Sequence, residues 1–230
     1  MATTRRPARQ PLADQMYEAL LGQFMDGLWS PGQALNIGAL SRELNVSQTP
    51  LREALARLEH TGLVHREALK GYRVAPLFTE HELIKLMDAR LVLEPALTYE
   101  AARRTTPEFL AELRESVEEL KQCADAPRSA GSTSVRAYWS ADERFHLLIA
   151  EQSGNPFLAS AYRALGGHVQ RFRLFTELGS SEAHSPAREH TAVYDAMAAG
   201  DADGAAERMR QHIENAKTRA LSDRQAVATA

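Results

Sequence analysis

One segment constrains this chain more than any other: Ser47-Gln48-Thr49-Pro50-Leu51-Arg52-Glu53-Ala54-Leu55-Ala56-Arg57-Leu58. Leu51, Leu55 and Leu58 recur at the spacing of one helix face, which predicts a helix with a buried stripe. An amphipathic run at 37–44 precedes it and predicts a shorter helix. Gly62-Leu63-Val64 and Gly71-Tyr72-Arg73-Val74 follow, so 64–66 and 72–75 read as short strands around a tip of Ala68-Leu69-Lys70-Gly71. A short helix, a tight turn, a second helix and a two-stranded ribbon make a winged helix-turn-helix. The second helix has the chemistry of a DNA groove. Ser47, Gln48 and Thr49 in its first turn offer hydroxyls and an amide to phosphates or base edges, and Arg52 stands one turn later. Lys70 and Arg73 on the wing are the candidate phosphate contacts.

The chain has 230 residues and a formal net charge of −3, which looks wrong for a DNA binder until the charge is located. Residues 1–75 carry nine Lys and Arg against seven Asp and Glu, whereas residues 76–230 carry eighteen against twenty-three. Only the N-terminal third is basic, as expected if that part alone faces phosphate. No apolar run is long enough to cross a membrane, and residues 1–10 are polar and basic rather than a signal peptide. The single cysteine, Cys123, excludes an internal disulfide framework and fits a reducing, cytoplasmic setting.

The pattern divides the chain into a disordered basic arm at 1–10 (Arg5, Arg6, Arg9), a DNA-binding winged helix at 11–76 and an all-helical ligand-binding domain at 79–222. A flexible tail is expected at 223–230. Within the first domain, 12–27 predicts a helix and Trp29-Ser30-Pro31-Gly32 a turn. Beyond it the signals are helical throughout. Thr79 and Glu82 form a capping box opening a long helix, and Thr106-Pro107, Asn155-Pro156 and Ser185-Pro186 repeat a cap-then-proline device. Asp201 caps a last helix expected to end near 221, and 125–134 reads as a polar loop. The predicted fold is therefore mostly α, a winged helix-turn-helix followed by an antiparallel bundle of about six helices.

Inside the bundle, Asp142 and His146 lie one turn apart on one helix, His190 falls on the fifth bundle helix and His212 on the sixth. A carboxylate and three imidazoles from three helices can converge on one metal ion. From spacing alone they can equally be histidines that satisfy hydrogen bonds of the bundle.

Both halves resemble a known family. The run from Ser47 to Leu55 is similar to the signature Ser-Arg-Thr-Pro-Val-Arg-Glu-Ala-Leu of the GntR family of bacterial transcription regulators, with seven of nine positions matching. Gln48 replaces an arginine and Leu51 a valine, and Gly38 holds the place of another arginine that often contacts DNA in that family. Since arginine pairs with guanine and glutamine with adenine, these departures imply a different operator. Residues 79–221 resemble the FCD effector domain of the FadR-like branch. The resemblance rests on Arg90-Leu91-Val92-Leu93-Glu94, Asp142-Glu143-Arg144-Phe145-His146, Gly154-Asn155, Glu189-His190 and His212.

The resemblance implies that Asp142, His146, His190 and His212 ligate a divalent ion, with zinc first and manganese or nickel as alternatives. Two positions of an octahedral ion would stay open to a small carboxylate effector, for which Arg90, Arg171, Arg173 and His168 are candidate contacts. It further implies a homodimeric, ligand-responsive regulator, a repressor, that binds a pseudo-palindromic operator and is not an enzyme. The rival readings are a metal-dependent hydrolytic enzyme and a regulator that senses the metal itself.

Overall fold

The computed structural model describes residues 10–125, 133–174 and 184–229. The side chains of residues 25, 133–136, 170, 172–174 and 225–229 lie outside that description. The chain divides into two compact units, one through Pro76 and the other from Leu77 onward. The expected arm at 1–10 except its last residue, the heart of the loop at 125–134 and the end of the fourth bundle helix beyond 174 lie outside the described residues.

The first unit contains α1 (Leu12–Met25), β1 (Ala34–Leu35), α2 (Ile37–Glu43), α3 (Gln48–His60), β2 (Val64–Glu67) and β3 (Gly71–Val74). Leu51, Leu55 and Leu58 of α3 are fully buried with Leu20 and Leu63, so the stripe read from spacing is the core seam. Burying each such leucine stabilises the fold by roughly 1.5–3 kcal/mol relative to exposure. Phe24 and Trp29 meet edge to face at 4.4 Å and close the base of α1. The side chain of Asn36 accepts from the Ala39 amide and caps α2. Asn45, with φ of 51°, makes the left-handed turn that swings the chain into α3.

The wing departs from the two strands expected. It is a three-stranded antiparallel sheet in the order β1-β3-β2, with Leu35 opposite Tyr72 and Val64 opposite Val74. A two-residue strand carries no periodicity of its own, because its pairing is decided by the partner. Leu69, fully exposed with φ of 63°, forms the tip beside Lys70.

The second unit consists, among the described residues, of α4 (Glu80–Ala102), α5 (Pro107–Asp125), α6 (Thr133–Gln152), α7 (Pro156–Leu174), α8 (His184–Ala198) and α9 (Ala202–Thr229). The capping signals act as the sequence suggests. Thr79 and Glu82 form the full capping box, and Thr106 accepts from the Phe109 amide. Asn155 accepts from the amides of Phe157 and Leu158, and Asp201 accepts from Gly204. The α8 helix is described from His184, so its start relative to the Ser185-Pro186 pair lies outside the described residues. The α9 helix runs to Thr229, through the segment expected to be a tail. No glycine or proline follows Gly204 to stop it, and alanines continue to favour helix.

Phe109, Leu113 and Val117 of α5, Phe145 and Ile149 of α6, Val193 and Met197 of α8, and Met209 and Ile213 of α9 form the main core cluster. Two residues of that cluster, Phe145 and Ile213, each adjoin a buried histidine in sequence, so the polar centre lies at the edge of the apolar core.

Candidate functional site

The α6 helix supplies Asp142 and His146, α8 supplies His190 and α9 supplies His212, and all four are buried. One ligand atom from each lies within 4.8 Å of all the others. Nε2 of His212 is 3.3 Å from Nε2 of both His190 and His146, and Nε2 of His190 is 3.5 Å from an Asp142 carboxylate oxygen. The ring of His190 stacks on Phe145 at 3.9 Å, which holds it in plane.

Two glutamates aim the rings from behind. Glu94 of α4 lies 2.7 Å from Nδ1 of His146, and Glu189 of α8 lies 2.7 Å from Nδ1 of His212. An ionised carboxylate only accepts, so the hydrogen bond from His212 places that ring's proton on Nδ1 and presents its Nε2 lone pair inward, while Nδ1 of His146 lies at ion-pair distance from Glu94. Each glutamate is itself held by an arginine. Arg90 donates from Nε to Glu94 at 2.5 Å, and Arg219 donates to both Glu189 oxygens at 2.8 and 2.9 Å, joined there by Asn215 at 2.9 Å.

Burial alone would raise the Glu189 carboxyl, but the hydrogen bonds from His212 and Arg219 outweigh it and bring the group down to about 2. Burial opposes ionisation of Glu94 too, and the Arg90 charge overcomes it, so Glu94 also sits below its ordinary range. Burial pushes the His212 imidazole down, which favours the neutral ring that a metal requires.

Where both rings carry their proton on Nδ1, imidazole nitrogens facing one another across 3.3 Å repel and a bound cation relieves them, whereas a ring protonated on Nε2 would donate across the same gap. That spacing is what two nitrogens show when each is about 2.0–2.1 Å from one ion at a near-tetrahedral angle. The donor set, nitrogen and oxygen without thiolate, suits zinc, manganese or nickel. The cluster is thus compatible with a divalent metal ion.

The candidate effector contacts are distributed differently. Arg90 is buried and committed to Glu94 behind His146. The Arg171 guanidinium lies 3.9 Å over the Phe78 ring, and His168 meets the same ring edge to face at 6.4 Å. The Arg173 side chain is outside the described residues. Glu94 and Glu189 were not singled out as ring-orienting partners from the sequence. Glu189 adjoins His190 in the chain yet serves His212 on the next helix, a pairing that only tertiary packing decides.

In the first unit Ser47 stands at the N-cap of α3 without making a capping bond, and Gln48, Thr49 and Arg52 are exposed beside it. Arg52 donates to the Gln48 side-chain oxygen at 3.1 Å. Lys70 is exposed at the wing tip. Arg73 is half-buried and engaged twice, donating to Glu67 at 2.9 Å and to the Gly32 carbonyl at 2.5 Å. It straps the wing to the turn after α1, which favours a structural role for it over a phosphate contact.

A winged helix-turn-helix followed by a helical bundle with a buried cluster of ligating side chains defines a ligand-responsive, DNA-binding transcription regulator. Residues 85–215 match the sequence profile of the FCD domain, and residues 12–74 match that of bacterial regulatory proteins of the gntR family. The chain belongs to the GntR family and carries an FCD effector domain. Among its relatives is a protein of Paenarthrobacter nicotinovorans named as a probable D-xylose utilization operon transcriptional repressor. The two are 27% identical over 216 residues, which is 92% of this chain and 90% of that one. Among solved structures, McbR/YncC of E. coli shares the fold with a TM-score of 0.76 at 22% identity, covering 93% of this chain and 99% of that one. The metal-free FCD domain of TM0439 aligns with a TM-score of 0.51 at 21% identity, over 65% of this chain and 98% of that one.

Proposed function

We propose that the protein is a homodimeric repressor whose helical domain holds one divalent ion, zinc before manganese or nickel, and senses a small carboxylate. The observation that carries this reading is the convergence of three Nε2 atoms and one carboxylate oxygen, from three helices, on one buried point. In this reading residues 11–76 read DNA, 1–10 are a basic arm, and 79–222 receive the ligand. The ion would take the oxygens of the acid by expanding its coordination beyond the four protein ligands. Arg90 and Arg219 serve the site through their glutamates rather than by touching the acid. The relative named as a repressor supports the direction of regulation. The setting is cytoplasmic, where operator DNA is found. Among the described residues no helix is long and apolar enough to cross a membrane.

Glu189→Ala is expected to weaken metal affinity about 10–100-fold, because the His212 ring loses the acceptor that fixes its tautomer. Competition against a chromophoric chelator measures it. An unchanged affinity would mean that packing alone aims the ring.

A single winged helix offers few base contacts, so specific binding requires two copies. Light scattering is expected to return a dimer at micromolar concentration, and selection from random duplex DNA an inverted repeat. A monomer that stays monomeric on DNA would sink the reading.

A further inference from the structure

The reading face holds a cation that the helix pattern does not announce. Gly38 lies in α2 without the positive φ that would demand glycine, and glycine favours helix less than alanine does. A Cβ built on Gly38 would lie 3.9 Å from Nη1 of Arg42 and 4.0 Å from Nε2 of Gln48. It would also crowd the Asn36 cap oxygen at 3.3 Å. Arg42 stands one turn after Gly38, and its side chain runs back toward the helix N-terminus, as long helical side chains do. The space above Gly38 is therefore occupied from one side by a guanidinium and from the other by an amide. Gln48 turns its oxygen to Arg52, which leaves Nε2 facing that space.

The cations of this unit divide into engaged ones and exposed ones. Arg57 is paired with Asp14 at 2.5 Å and Arg73 with Glu67 at 2.9 Å. Arg42 belongs with Arg52, Arg66 and Lys70 among the exposed ones that make no ion pair among the described residues. Two sets of N–H donors, from α2 and from the first turn of α3, thus converge on one open point at the mouth of the recognition helix. An acceptor-rich base edge meets such donors, and guanine, with O6 and N7 side by side, is the base that arginine reads.

We propose that Arg42 is a specificity-determining residue that reads a guanine next to the base read by Gln48. The proposal rests on the DNA-reading role of α3 given above.

The test is selection from a random duplex DNA library with the full-length wild type and with Arg42→Ala, followed by binding to the wild-type consensus. The exposed position lets the variant fold, and an unchanged melting temperature checks this. The guanine preference at one position per half-site is expected to disappear, with affinity for the wild-type consensus falling about fivefold to 150-fold. The same consensus from both proteins would overturn the proposal. So would an equal loss on consensus and scrambled duplexes with the salt slope reduced by about one, because that marks a phosphate contact. If the wild type itself selects no consensus, the DNA-reading account fails, and this inference with it.

Discussion

Chelator-treated protein is expected to melt well below the same protein loaded with a divalent ion. The four clustered residues come from α6, α8 and α9, so a metal bound by them would tie three helices together and stabilise the folded state alone. At a free concentration about a thousand times the dissociation constant the gain is about 4 kcal/mol. For a domain of this size that is a shift on the order of 10 °C, read by calorimetry or by circular dichroism. His190→Ala is expected to show no metal-dependent shift.

The gain also depends on pH, with a sign fixed by His212. Its imidazole is held below its ordinary value in the fold, chiefly by burial, so the unfolded chain takes the proton first. The contribution is full above the unfolded histidine value of about 6.5 and is lost as pH falls below it. Metal release follows the same course, since a protonated ring cannot ligate. A metal-induced shift that stays constant from neutral pH to pH 5 would contradict imidazole ligation.

Arg52→Ala is expected to weaken operator binding by on the order of 1–3 kcal/mol, a loss of about fivefold to 150-fold. The side chain is exposed on α3 and its one described hydrogen bond goes to Gln48, so the change leaves the core closed and a loss of affinity would report a DNA contact. Gln48→Arg is expected to move the preference at one position per half-site toward guanine. Fluorescence anisotropy on the selected duplex checks the first and repeat selection the second. Full affinity in folded Arg52→Ala would show that α3 does not enter the groove as described.

The parts of this fold that local chemistry dictates were legible in the sequence, and the parts that depend on packing were not. Leu51, Leu55 and Leu58 announced α3 because a buried stripe at helical spacing has few other solutions. Thr79 with Glu82, Thr106 before Pro107 and Asn155 before Pro156 marked helix starts because capping is decided within four residues. The β1 strand escaped notice because its two residues take their conformation from β3 across the sheet.

The four residues of the cluster were legible as a set only through family resemblance, since spacing alone cannot say that three helices point at one place. Glu94 and Glu189 as orienting partners were not legible, because each reaches a histidine on another helix. The ion pair of Arg73 with Glu67 was not legible either, because the hairpin register brings the two together. Arg42 lies in an ordinary polar position of α2 and acquires meaning only from standing across Gly38 from Gln48.

The most direct test of the central claim is the metal content of protein purified without chelator, measured by inductively coupled plasma mass spectrometry on the wild type and on His190→Ala. The account predicts one divalent ion per chain in the wild type and none above background in the variant. A metal-free wild type, or equal content in both proteins, would contradict it.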